Sequence, residues 1–155
     1  MRFLGNIEAK LDDKGRVFLP ATFRKVLLTS CEESMVLRKD IFQQCLVLYP
    51  ESVWNKQMDA LRKRLSRWNS TDQQVFRQFV SDAEFISIDG NGRILIPKRY
   101  QQLGGLEQKI KFIGMGDTIE IWGEAQTHEP FMKAEDFAKA IEDTLSFEAE
   151  DCFSL

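Results

Sequence analysis

The chain has 155 residues, 43% of them hydrophobic and 29% charged, with a net charge of −3, the balance of an ordinary soluble globular protein. That length allows one full core, or two half-size units sharing one. No apolar run approaches the ~20 residues that span a bilayer, and the N-terminus MRFLGNIEAK turns polar at once, so neither a membrane segment nor a signal peptide is expected and the chain reads as cytoplasmic. Cys31, Cys45 and Cys152 are scattered, with no C-x-x-C pair, which argues against a disulfide framework or a zinc site. His128, the single histidine, sits in the polar stretch QTHEP and offers little for histidine chemistry.

Residues 7–11 (IEAKL) alternate in part and predict a first strand. Asp12 to Gly15 then turn the chain, since Asp bonds nearby backbone N–H groups and Gly takes φ > 0 without a Cβ clash. Val17-Phe18-Leu19 predicts a second, more buried strand. Pro20 suits the first position of a short helix that carries Phe23, Val26 and Leu27. Residues 35–37 and 45–50 predict third and fourth strands. Val53, Trp54, Met58, Leu61, Leu65 and Trp68 follow helical steps, so residues 51–68 read as amphipathic. Ser70-Thr71-Asp72 resembles a cap before a second helix around Val75, Phe76, Phe79 and Val80. Trp54, Trp68 and Trp122 are expected as core or interface anchors.

From residue 85 the pattern starts again. Residues 11–20 read LDDKGRVFLP and residues 88–97 read IDGNGRILIP. Asp12, Gly15, Arg16 and Pro20 match Asp89, Gly92, Arg93 and Pro97 at a constant offset, and the apolar positions match in kind. Such agreement without a gap reads as a duplication. A short helix with Tyr100 and Leu103 follows, then strands over 110–113 and 118–123, with Gly114-Met115-Gly116-Asp117 as the hairpin turn between them. Tyr49-Pro50-Glu51 and Trp122-Gly123-Glu124 share an aromatic-breaker-acid ending. A C-terminal helix carries Phe137, Ala138, Ile141 and Leu145, and residues 146–155 are expected to fray. Residues 134–155 hold seven acidic groups against Lys139 alone, a net of −6, which leaves +3 on residues 1–133. An acidic tail beside a mildly basic body is compatible with a DNA binder without being evidence for one. The expected organisation is a first unit over 1–50, a helical insert over 51–82, a second unit over 83–123, and a helix with acidic tail over 124–155.

The two Asp-x-x-x-Arg turns, DDKGR at 12–16 and DGNGR at 89–93, sit within the duplicated strand–turn–strand–Pro unit. With the opening FLGNIEAKLDDKGRVFLPATFR, the CLVLYP segment and the later IEIWG, they make the chain resemble the MraZ family over all but the acidic tail. The resemblance implies an α+β, β-rich fold in which two AbrB-like swapped-hairpin half-units form one pseudo-twofold barrel with added helices. It implies a bacterial transcriptional regulator of the division and cell-wall gene cluster, nucleoid-associated, that binds repeated boxes of double-stranded DNA in its own promoter region. It also implies a homo-oligomeric ring of several subunits, and DNA contact through the DxxxR turns, hence through Arg16 and Arg93.

The candidate DNA-binding residues are Asp12, Lys14, Gly15, Arg16, Asp89, Asn91, Gly92, Arg93 and Arg99. Arg16 and Arg93 can offer a planar fork to phosphate or to guanine O6/N7. Each can equally pair with its own Asp and simply clamp the hairpin, and both roles can coexist. Lys10, Lys14, Arg24 and Lys25 group around the first motif, and Lys98 and Arg99 around the second, as phosphate contacts or as solvated faces. Asn91 departs from Lys14 of the first copy, so the half-sites need not contribute equally, and Asn in a turn usually serves the backbone. The run Arg62, Lys63, Arg64 and Arg67 reads as a charged outer helix face. No G-x-x-x-x-G-K-[ST] or G-x-G-x-x-G loop occurs, and the carboxylates lie in the tail or on helix faces, so no enzyme, cofactor, metal or small-molecule substrate is expected. An oligomeric protein-interaction module without DNA binding is the rival from another class. An antitoxin-type AbrB protein is the rival within the same class, although such chains usually carry one copy of the unit.

Overall fold

A computed structural model describes residues 1–124 and 130–153, with side chains as far as Ser146; His128 lies outside the described residues. Each repeat runs strand, strand, helix, strand, strand. The first comprises β1 (Asn6–Lys10), β2 (Arg16–Phe18), α1 (Ala21–Thr29), β3 (Met35–Lys39) and β4 (Leu46–Pro50). Two insert helices follow, α2 (Glu51–Arg64) and α3 (Ser70–Ser81). The second repeat comprises β5 (Glu84–Ile86), β6 (Arg93–Leu95), α4 (Lys98–Leu103), β7 (Lys109–Gly114) and β8 (Ile119–Gly123), and α5 (Ala134–Phe153) follows.

The repeats exchange strands. The main sheet has the order β1-β7-β8-β4-β3-β5, and β2 pairs with β6 in a separate two-stranded ribbon. The first strand of each repeat therefore pairs with the third strand of the other: Ile7 lies opposite Phe112, and Phe85 opposite Val36. The order reads the same from either end, as a twofold between β8 and β4 requires. The sheet does not close into a barrel. Its edges, β1 and β5, do not pair with each other; the open face is covered instead by the ribbon and by α1 and α4. Val17 and Ile94, 2% and 1% exposed, plug the ribbon into the core beside Leu37, Leu46, Leu48, Phe112 and Ile121.

Strand alternation separates the two faces of the sheet. Leu37, Leu46 and Leu48 point to the core shared with the ribbon, while Val36, Val47 and Tyr49 point to the opposite face and meet Val53 and Trp54 of α2. Pro50 ends β4 and caps α2, where its missing N–H costs nothing. Trp54 stacks on Phe79 of α3 at 5.0 Å between ring centroids. Buried Arg38 donates from Nε to the Phe79 carbonyl at 2.9 Å and lies over the same ring. The helical insert is thus fixed on the face away from the ribbon, which stays open.

Several expectations need correction. α2 stops at Arg64, and α3 is capped by the Asn69 side chain, which accepts from Asp72 N–H, rather than by 70–72. Trp54 and Trp122 are buried, but Trp68, beyond the end of α2, is 98% exposed. Residues 146–153, expected to fray, continue α5 to Phe153. Among the described residues no helix is long and apolar enough to cross a membrane.

Candidate nucleic-acid interface

The two DxxxR turns are near-copies in geometry. In the first, Asp12 Oδ1 accepts from the N–H groups of Lys14 at 2.9 Å and Arg16 at 2.8 Å, while Oδ2 accepts from Arg16 Nε at 2.8 Å. In the second, Asp89 Oδ1 accepts from Asn91 and Arg93 N–H, both at 2.9 Å, and Oδ2 from Arg93 Nε at 3.0 Å. The backbone N–H of Arg16 is the main force holding the Asp12 carboxyl below its ordinary value; desolvation opposes it, and the Arg16 guanidinium and Lys14 N–H add to the lowering. Asp89 is lowered the same way, first by Arg93 N–H. Gly15 and Gly92 close the turns at φ +85° and +83°, a conformation that a Cβ disfavours.

The ribbon then brings the turns together. β2 and β6 run antiparallel with Arg16 opposite Leu95, Val17 opposite Ile94 and Phe18 opposite Arg93. Opposed residues share a face, so Val17 and Ile94 point inward and Arg16, Phe18, Arg93 and Leu95 all point outward. The two arginines are diagonal neighbours in the pairing, about 7–8 Å apart at this kind of register. Between them lie Phe18, 61% exposed, and Leu95, 52% exposed, with the Arg93 guanidinium 5.9 Å from the Phe18 ring centroid. Each arginine spends Nε on its aspartate; among the described residues its terminal amino groups have no protein acceptor. The Asp–Arg clamp and an outward-facing fork therefore coexist. Such exposed pairs stabilise little by themselves; what they do here is restrict the rotamers of the arginines.

Crossed bonds lock the ribbon ends. Ile96 N–H donates to the Gly15 carbonyl at 2.8 Å, and Leu19 N–H to that of Gly92 at 3.1 Å. Each turn therefore rests against the start of the other repeat's helix. Lys14 lies in a shallow recess with Leu95, Pro97, Lys98 and Gln101, so Lys98, expected at the second motif, sits at the first. Arg24, expected at the first motif, lies against Gly92 of the second. Arg99 points elsewhere, pairing with Asp82 at the end of α3 and lying over Tyr100. Phe18 and Leu95 are exposed although Val17-Phe18-Leu19 and Ile94-Leu95-Ile96 are apolar throughout; burial along the first run alternates in, out, in, so Phe18 departs from the more buried strand that the sequence predicts.

Among the described residues one other cluster offers polar ligand atoms. Asp40, Cys45 and Glu120 approach within 4.8 Å, but one oxygen of each carboxylate is used locally. Asp40 Oδ2 accepts from Phe42 and Gln43 N–H, and Glu120 Oε1 from Trp122 Nε1.

A family model described as "MraZ protein, putative antitoxin-like" matches the chain twice, over residues 2–78 and 79–148. The chain belongs to the MraZ family. It is 59% identical over 145 residues, 94% of each chain, to a protein of Phocaeicola vulgatus named "Transcriptional regulator MraZ". A relative of that name from Bacteroides fragilis is 54% identical over 148 residues, 96% of this chain and 94% of its own. One from Idiomarina loihiensis is 35% identical over 153 residues, 99% of each. The two MraZ matches meet at residue 78/79, within α3, so each contains one complete DxxxR turn.

Proposed function

We propose that this chain is a transcriptional regulator that binds duplex DNA by laying the β2–β6 ribbon against the major groove. The observation that carries the reading is the shared outward face of Arg16 and Arg93, each oriented at Nε by its own aspartate with its fork left open. A major groove about 12 Å wide admits a two-stranded ribbon, and an arginine fork matches guanine O6/N7. Phe18 and Leu95 supply apolar contact to base edges between the forks, while Lys14 and Lys98 neutralise backbone phosphate. Gly15, Gly92 and Asn91 shape the turns, Asp12 and Asp89 aim the arginines, and Arg99 serves the α4–α3 contact or the outer edge of the interface. The names of the relatives support transcriptional control, and no residue set in the proposal performs catalysis.

On this reading the targets are repeated boxes in the promoter region of the division and cell-wall genes, including the chain's own, and the protein works at the nucleoid. A ring of subunits would present many such ribbons, so that repeated boxes are held by avidity. The apolar stripe Phe137, Ile141 and Leu145 on α5 supports assembly between copies. The test is binding to the chain's own upstream DNA across a salt series, with Arg16→Ala and Arg93→Ala alongside. Sequence-selective, salt-sensitive binding that either substitution weakens, with the oligomer intact, is expected. A folded oligomer that ignores DNA at low salt would instead favour the interaction module.

A further inference from the structure

The two half-sites are not supplied with cations in the same way. In the first, the turn itself carries Lys14; in the second, the equivalent position is Asn91. The helices differ in the opposite sense. Four residues beyond Pro20 stands Arg24, and four beyond Pro97 stands Gln101. Because the ribbon is antiparallel, α1 begins beside the second turn and α4 beside the first. The Gln101 amide packs against Gly15, and the Arg24 guanidinium against Gly92.

Gln101 is satisfied, donating from Nε2 to the Ile96 carbonyl at 2.8 Å. Arg24 is not. Its Nε is buried with no hydrogen-bond partner, and among the described residues no part of the guanidinium forms an ion pair or a hydrogen bond. The one carboxylate of that turn, Asp89, is already taken by Arg93. A cation held partly buried without an anion is costly, and here it sits at the mouth of a turn whose own tip lacks a charge.

Building on the DNA-binding reading, we propose that Arg24 is the phosphate-binding cation of the second half-site, supplied across the repeats by the first repeat's helix. Arg16 then works with Lys14 on its own turn and with Lys98 of α4, and Arg93 with Arg24 from α1. Both half-sites then carry backbone cations but place them differently, since the first has Lys14 on its turn tip and the second takes Arg24 from a helix. A duplex box is therefore bound in one preferred direction.

The experiment is a salt series of duplex binding by the full chain, with Arg24→Gln, which copies Gln101, beside wild type, Arg24→Lys, and the double variant Arg24→Gln/Asn91→Lys. Loss of one phosphate contact lowers the slope of log K against log [salt] by about 0.9 per bound ribbon. Arg24→Gln is expected to show that loss, with roughly tenfold weaker binding at moderate salt. Arg24→Lys should keep the slope. The double variant, with the charge moved to the turn as in Lys14, should recover it. A wild-type slope for Arg24→Gln, whether or not affinity falls, would reduce Arg24 to a prop for Gly92 and overturn the proposal while leaving the DNA reading standing. Failure of wild type itself to bind would sink both. Urea midpoints of the variants separate a damaged fold from a lost contact.

Discussion

Gly90 and Gly92 sit two residues apart in one turn and make opposite predictions for the same substitution. Gly92 has φ +83°, and the left-handed conformation costs a residue with a Cβ about 1–2 kcal/mol. A methyl there would also lie 2.8 Å from Arg24 Cζ and 3.2 Å from Cδ, forcing that side chain to move. Gly90 has no such φ, and its methyl would meet nothing within 4 Å. Alanine at an unstrained site stabilises by about 0.4–1 kcal/mol, because the unfolded chain loses freedom. Gly92→Ala and Gly90→Ala should therefore differ by about 2 kcal/mol. With a urea dependence of about 1–3 kcal/mol per molar, their midpoints should lie about 1 M apart at equal protein concentration, Gly90→Ala the higher. Coincident midpoints, or a lower one for Gly90→Ala, would refute the turn geometry on which the arginine placement depends.

Ile94→Ala, which empties a fully covered site between ribbon and sheet, should cost about 2–5 kcal/mol in the same assay, and a surface-sized effect would show that the ribbon is not seated in the core. Phe18→Ala, on the exposed face, should move stability by no more than about 0.5 kcal/mol yet weaken duplex binding; unchanged affinity would remove Phe18 from the interface. Asp12 and Asp89 are held below their ordinary carboxylate value, so the clamp they form is fully present above that value and is lost as pH falls through the lowered one. The Arg16 and Arg93 Nε–H resonances should thus hold steady from pH 7 to pH 5 and shift only below the ordinary carboxylate range, and a transition near neutrality would contradict the assignment. Burial, reinforced by the charges of Glu120 and Asp40, pushes the Cys45 thiol up. In a Cys152→Ser background, iodoacetamide at pH 8 should label exposed Cys31 and spare buried Cys45, and equal labelling would mean that the start of β4 opens.

Much of this architecture was legible because the duplication repeats its special residues. Asp, Gly, Arg and Pro recur at fixed offsets, and three of them have a local physical reason that needs no partner in space: Asp as a turn acceptor, Gly for a positive φ, Pro at a helix start. The strand exchange has no such local signal. Nothing in residues 6–10 says that they pair with 109–113 rather than with their own repeat, and the register is set by the shared core. The same non-locality displaced Arg24 and Lys98. Sequence proximity put each beside its own motif, whereas antiparallel pairing of β2 with β6 carries each helix to the opposite turn. The exposure of Phe18 and Leu95 has no signal of its own, because both three-residue runs are apolar throughout and a short apolar run reads as buried until its partner strand is known. The helix-to-sheet bond from Arg38 to Phe79 spans 41 residues and could not be read from spacing at all.

On the reading proposed above, the outer face of the β2–β6 ribbon touches duplex DNA. The most direct test of that contact is a photo-crosslinking side chain introduced singly at Phe18, at Leu95 and, as a control exposed elsewhere, at Trp68, each irradiated with the chain's own upstream duplex. Crosslinks from Phe18 and Leu95, absent from Trp68 and removed by Arg16→Ala, are the predicted result. Crosslinks from Trp68 with none from the ribbon would rule out the ribbon as the DNA-binding face.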